Sequence, residues 1–316
     1  MQMKIETMKQ MFRIILAMEC LSLAAEARTW TNLTGKQLEA EYVSLAQDRV
    51  TLKSPQGETF SVMLAKLSPE DQEYVRNQAQ SRLPSVKAVP DVGNTGVRDQ
   101  MMPGKTFART AAGETAMKYH VRVPPSFDPR RPPPLIIAFS PKGDGRFMVE
   151  AISASTDKAG WIAVGCDKLK NGMPDEKREE KMEDEVLDDI IGNIPHDPRR
   201  IYLAGHSGGA MRVYHISARR KERFAGILAY SGWMGGVEKQ MQPFCQNMAV
   251  AMVNGDQDAA VKSWEKNDAQ ALVNRNCRVK LFSHPGGHAM KVPQEITDQC
   301  IQWFQEDWKV HGTGSP

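Results

Sequence analysis

The sequence predicts an α/β protein whose main body, from about residue 115 onward, is a doubly wound and mainly parallel sheet, preceded by a small β unit. Three observations carry that reading. Apolar runs such as Leu135–Phe139 and residues 248–253 are unbroken, as strands buried on both faces must be. They alternate with stretches of helical period, the pattern of parallel strands joined by right-handed crossovers. Residues 28–77, by contrast, hold short alternating strands between tight turns.

With 316 residues, 41% apolar and 25% charged, the chain has room for one large domain and a small one. The net charge is +3 and the charges are scattered, which leaves no footprint for nucleic acid. No stretch reaches membrane-spanning length. Residues 1–27 read as a signal peptide: Lys4, Lys9 and Arg13 supply basic character, residues 14–25 are mostly apolar though Glu19 interrupts them, and Ala25-Glu26-Ala27 is a small-x-small cleavage pattern. The expected location is secreted or periplasmic. Four cysteines then remain, Cys166, Cys245, Cys277 and Cys300, and an oxidising compartment permits disulfides. Cys245 and Cys277 each precede an expected strand. If those strands are parallel neighbours, both thiols sit at one end of the sheet, so they form the expected pair. None of the four has metal-ligand spacing.

The elements of the first unit follow in order. Arg28-Thr29-Trp30-Thr31 leads to a turn at Thr34-Gly35 and an alternating run over residues 38–44. Ser54-Pro55-Gln56-Gly57 turns between residues 49–52 and 59–64, and Ser68 caps a single helical turn that starts at Pro69. The succession Arg-Thr-Trp, Glu-Ala-Glu-Tyr-Val-Ser-Leu, Val-Thr-Leu and Leu-Ala-Lys-Leu-Ser-Pro-Glu-Asp-Gln resembles the SLA homology (SHD) domain over about 50 residues. That resemblance implies a small SH3-like β-barrel over residues 28–77 with a peptide or protein ligand. Trp30 and Tyr42 are either aromatics of its binding face or core aromatics that a small barrel needs. Residues 78–114, with Pro84, Pro90, Gly93, Gly96, Pro103 and Gly104 and no sustained period, read as a linker.

The second domain is expected over residues 115–312. Strands are expected at residues 117–123, 135–139, 161–164, 201–204, 224–230, 248–253 and 278–282. Residues 145–158 read as a helix. Residues 175–191 are densely charged, yet Met182, Val186 and Ile190 share one face, so this too is an amphipathic helix.

The chemistry centres on Gly205-His206-Ser207-Gly208-Gly209, where a strand runs into a sharp turn and a helix. Small residues two before and two after the serine match G-x-S-x-G, the turn that holds a nucleophile in a strained, exposed position. A serine hydroxyl is barely acidic, so Ser207 needs a base and a group to orient that base. Downstream, one strand ends in Asn254-Gly255-Asp256-Gln257-Asp258 and another leads to Ser283-His284-Pro285-Gly286-Gly287-His288. Asp258 is the expected acid with Asp256 the competitor, and His288 the expected base with His284 the weaker candidate. Oxyanion donors are expected from the backbone of Gly208 and from the turn Ser140-Pro141-Lys142-Gly143; Pro141 has no N–H, so Lys142 is preferred, with Gly143 behind it. Trp233 is a candidate wall of the substrate pocket.

Residues 115–310 resemble the α/β-hydrolase superfamily. Asp-Pro-Arg-Arg-Ile-Tyr-Leu-Ala-Gly-His-Ser-Gly-Gly resembles its polyhydroxyalkanoate-depolymerase-like and feruloyl-esterase-like branch, with dienelactone-hydrolase relatives. The resemblance implies a serine carboxylesterase acting on a small-molecule or carbohydrate-linked ester, with no metal or cofactor. It departs from the family at Ser140-Pro141, where members often have His-Gly. A serine peptidase of the same fold, and a binding protein with an inert hydrolase domain, stay open.

Overall fold

The computed structural model describes residues 28–46, 49–81, 97, 100–220, 222, 224–241, 247–288 and 291–312. The expected signal peptide and Cys245 lie outside the described residues. By density of internal contacts the chain divides into two units, one ending at Pro90 and one beginning at Asp91.

In the first unit, strands β1 (Arg28–Thr31), β2 (Gln37–Ala46), β3 (Arg49–Lys53) and β4 (Thr59–Met63) pair antiparallel in sequence order. Trp30 and Tyr42 are 2% and 3% exposed and pack with Val50, Leu52, Leu67 and Val75. Both are therefore core aromatics, and Trp30 Nε1 donates to the Ala40 carbonyl at 2.9 Å, which satisfies its one polar group. Helix α1 (Pro69–Ser81) runs 13 residues where a single turn was expected. Its sequence is rich in helix formers, and Val75, fully buried, gives the second turn a core contact. Its start is fixed by Ser68 and Asp71: the Asp71 N–H donates to Ser68 Oγ at 3.2 Å, and Asp71 accepts from Arg28 at 2.7 Å and from the Thr31 N–H at 2.6 Å.

The second unit is built on an eight-stranded sheet in the order β12-β11-β10-β9-β7-β8-β6-β5. Its strands are β5 (Thr106–Thr110), β6 (Lys118–Arg122), β7 (Leu135–Phe139), β8 (Ile162–Cys166), β9 (Ile201–His206), β10 (Gly226–Tyr230), β11 (Ala249–Gly255) and β12 (Arg278–His284). From β12 to β8 all neighbours are parallel; β6 pairs antiparallel with both β8 and β5. Strand β5 falls inside the stretch read as a linker. Its short alternation, Thr-Phe-Ala-Arg-Thr, is stabilised by pairing with β6 rather than by its own composition.

Helices α2 (Gly145–Ala159), α3 (Glu176–Asn193), α4 (Gly208–Arg219), α5 (Val237–Gln240) and α6 (Val261–Val273) lie between the strands, and α7 (Gln294–Asp307) follows β12. Asp144 and Asp175 cap α2 and α3 through side-chain bonds to Phe147 and Arg178 N–H. Two apolar clusters lie on the two faces of the sheet, since neighbouring strand residues alternate between them: Ile137, Leu203 and Val250 fall in one, Ile136, Tyr202 and Ala249 in the other. Strands β11 and β12, which Cys245 and Cys277 precede, are parallel neighbours. Cys166, Cys277 and Cys300 are buried. Among the described residues no helix is long and apolar enough to cross a membrane.

Candidate active site

The central strands end at one edge of the sheet, and their following loops bring the candidate residues together. At the end of β9 the chain reverses into α4 within one residue. Ser207 takes φ 53° and ψ −117°, a left-handed strain that a non-glycine residue accepts only where its surroundings enforce it. Close approach enforces it here: a Cβ on Gly205 would strike the Gly209 carbonyl and the Ala210 nitrogen, and one on Gly209 would strike the Phe139 carbonyl. The Ser207 N–H donates to the Tyr230 carbonyl at 2.8 Å. Gly208 opens α4, where the positive end of the helix dipole faces out; the Ala210 N–H donates to the Ser207 carbonyl at 2.9 Å, and the N–H groups of Gly208 and Gly209 precede the first intrahelical bond.

The acid loop after β11 and the histidine loop after β12 are fastened to each other. Asp256 N–H donates to the His284 carbonyl at 3.0 Å and Gln257 N–H to the Gly286 carbonyl at 2.8 Å. A Cβ on Gly255 would collide with the Gly286 and Gly287 carbonyls. Of the two carboxylates, Asp258 is 6% exposed and its Oδ2 meets His288 Nδ1 at 2.9 Å, while its Oδ1 accepts from the Ala260 N–H at 3.1 Å. Asp256 instead turns to the loop and accepts from the Gly286 N–H at 2.8 Å. Of the two histidines, His288 Nε2 lies 3.0 Å from Ser207 Oγ. His284 is buried, with Nδ1 3.0 Å from the Pro285 carbonyl. The His288 side chain is 47% exposed to solvent, and its ring stands edge-on to that of buried His206.

The turn after β7 is held by the loop 167–172: Lys168 N–H donates to the Gly143 carbonyl at 2.8 Å and Asn171 N–H to the Pro141 carbonyl at 2.9 Å. The Lys142 N–H, the expected second oxyanion donor, donates to Ser140 Oγ at 3.1 Å. A cavity of about 410 Å³ lies beside Gly208, between α3 and α4, walled by Asn171, Glu179, Met211, Arg212 and Met234. Trp233 is 37% exposed in the loop after β10 and does not line this cavity.

Two residues in this frame carried no sequence signal. Asn171 sits in an irregular loop, and its amide occupies the space where Gly208 would carry a Cβ. Asp268, in α6, is fully buried and accepts from the Met234 N–H at 2.8 Å and from Gln240 Nε2 at 2.6 Å, which pins the Trp233 loop. Burial raises its carboxyl above the ordinary range. Among the described residues no group of three or more His, Cys, Asp or Glu is arranged to hold a metal ion.

Residues 22–83 match the family described as SLA1 homology domain 1, SHD1. The structure is similar to the substrate-bound fluorophosphonate-binding serine hydrolase F of Staphylococcus aureus, with 14% identity and a TM-score of 0.50 over 64% of this chain and 99% of that one. It is similar also to an S-formylglutathione hydrolase from Agrobacterium tumefaciens, with 16% identity and a TM-score of 0.50 over 64% of this chain and 95% of that one. No curated protein matches the sequence. The likeness shows that the larger unit has the α/β-hydrolase fold.

Proposed function

We propose that the chain is a serine hydrolase of carboxylic esters, with Ser207 as nucleophile, His288 as base and Asp258 as orienting acid. One observation carries this: His288, 81 residues from Ser207 and 30 from Asp258, has one ring nitrogen on each, at 3.0 and 2.9 Å. With Nδ1–H donated to Asp258, Nε2 holds the lone pair that takes the Ser207 proton. The alkoxide attacks the ester carbonyl. The oxyanion forms at the head of α4, where the Gly208 N–H is the first donor; Lys142 N–H joins it by exchanging Ser140 Oγ for substrate. As the tetrahedral intermediate collapses, His288 returns the proton to the leaving alcohol. It then takes a proton from water to hydrolyse the acyl-enzyme.

The cavity volume and the exposure of His288 and Trp233 favour small or surface-accessible esters, carbohydrate-linked ones included. For the first unit, the isolated bridge between Asn32 and Leu67, which carries the chain after β4 back to the end of β1, supports the small-barrel reading, with a peptide or protein as its ligand. Export of the chain, as residues 1–27 suggest, belongs to the same proposal.

The test is turnover of p-nitrophenyl acetate and butyrate by the protein and by Ser207→Ala. The expected loss is at least about a thousandfold in kcat. Equal turnover by both proteins, or no turnover together with no fluorophosphonate labelling of Ser207, overturns the reading.

A further inference from the structure

Before substrate binds, no backbone N–H of the turn after β7 is free to meet an oxyanion, and that of Lys142 must first leave Ser140 Oγ. Pro141 has no N–H, that of Lys142 goes to Ser140 Oγ at 3.1 Å, and that of Gly143 goes to the Ser140 carbonyl at 3.2 Å. A hydroxyl and a carbonyl of the loop itself thus hold the donors that the turn after β7 would offer. A side chain stands next to the shortfall. The Asn171 amide fills the volume of a Gly208 Cβ, with Oδ1 1.8 Å and Nδ2 2.4 Å from that position, so both ends of the amide, the donor nitrogen included, lie within about 5 Å of the Gly208 N–H. Its backbone N–H bonds the Pro141 carbonyl at 2.9 Å, which ties the residue to the oxyanion loop on one side while its amide packs on the elbow on the other. Asn171 lines the cavity beside Gly208, is exposed, and its amide makes no hydrogen bond to any of the described residues.

Resting on the ester-hydrolase reading, we propose that Asn171 is a catalytic residue. Its side-chain amide donates a hydrogen bond to the carbonyl oxygen of the bound ester and strengthens it as that oxygen becomes an oxyanion, beside the Gly208 N–H. No proton is transferred and no covalent bond to Asn171 forms. The same arrangement accounts for glycine at position 208, because a side chain there would evict the amide.

The experiment measures kcat and KM for p-nitrophenyl acetate, with urea denaturation of each variant, in the full chain. Asn171→Ala keeps the backbone bond to Pro141 and removes only the amide; kcat is expected to fall about a hundredfold with KM within threefold. Asn171→Asp is expected to fall at least as far, since a carboxylate opposes the oxyanion. Gly208→Ala displaces a flexible side-chain end rather than backbone, so it is expected to match Asn171→Ala. The double variant is then no worse than either single one, because both remove the same donor. Asn171→Ala with kcat within threefold of the parent, while Ser207→Ala is dead, overturns the proposal and leaves the esterase reading standing. Multiplying effects of Asn171→Ala and Gly208→Ala overturn it as well. If the parent shows no Ser207-dependent turnover, the esterase reading fails and this proposal falls with it.

Discussion

Adding one methyl group at Gly205 and one at Gly192 should have opposite consequences. At Gly205 a Cβ would lie 2.6 Å from the Ala210 nitrogen and closer still to the Gly209 carbonyl. These are backbone atoms of the first turn of α4 and cannot rotate aside. Ordinary contact begins near 3.4 Å, so α4 must slide by roughly 1 Å relative to β9. Such overpacking costs about 1–3 kcal/mol. The same slide moves Ser207 Oγ away from His288 Nε2, and a misplacement of about 1 Å costs on the order of a hundredfold in kcat/KM. Gly192 sits near the end of α3 with nothing within 4 Å of its Cβ position. Gly192→Ala therefore gains about 0.5–1 kcal/mol from the lower entropy of the unfolded chain and leaves turnover unchanged. Urea midpoints and p-nitrophenyl acetate kinetics on the two variants read both effects. A Gly205→Ala protein with the parent's midpoint and kcat/KM within threefold would refute the steric argument, as would equal destabilisation by both substitutions.

The two carboxylates of the acid loop should separate cleanly. Asp258→Asn removes the acceptor that orients His288 and is expected to lower kcat on the order of 10³–10⁴-fold, whereas Asp256→Asn keeps an oxygen for the Gly286 N–H and should cost less than about tenfold. Asp268→Ala orphans the Met234 N–H and should cost about 1–3 kcal/mol by urea denaturation. Asp268→Asn retains an acceptor and removes a titration. Because burial raises the Asp268 carboxyl in the folded state, its stabilising contribution is complete below the unfolded value, near pH 4, and is lost as pH rises through the folded value. Stability of Asp268→Asn relative to the parent should therefore grow from pH 4 to pH 7; a pH-independent difference would contradict the raised carboxyl.

The alternation of strand and helix, the sharp turn at Ser207 and the loops after β11 and β12 that carry Asp258 and His288 were all legible in the sequence, because each is written in local signals. Unbroken apolar runs mark strands buried on both faces, a four-residue apolar spacing marks α3, and paired glycines mark the turn where two backbones nearly touch. Strand β5 and the length of α1 were not, since a five-residue edge strand and a polar helix draw their stability from a neighbouring strand and from Val75 in a core.

At the candidate site, the sequence left Asp256 and Asp258, and His284 and His288, as paired candidates, and tertiary structure decided where each one points. Two residues apart on one loop, Asp256 meets Gly286 and Asp258 meets His288, because the bonds from Asp256 and Gln257 to the next loop set the direction of every side chain between them. The placement of Asn171 against Gly208 was likewise invisible in the chain. It depends on β8 lying beside β7, so that the loop after β8 packs on the elbow, and contact between residues so distant in sequence leaves no period or motif to read.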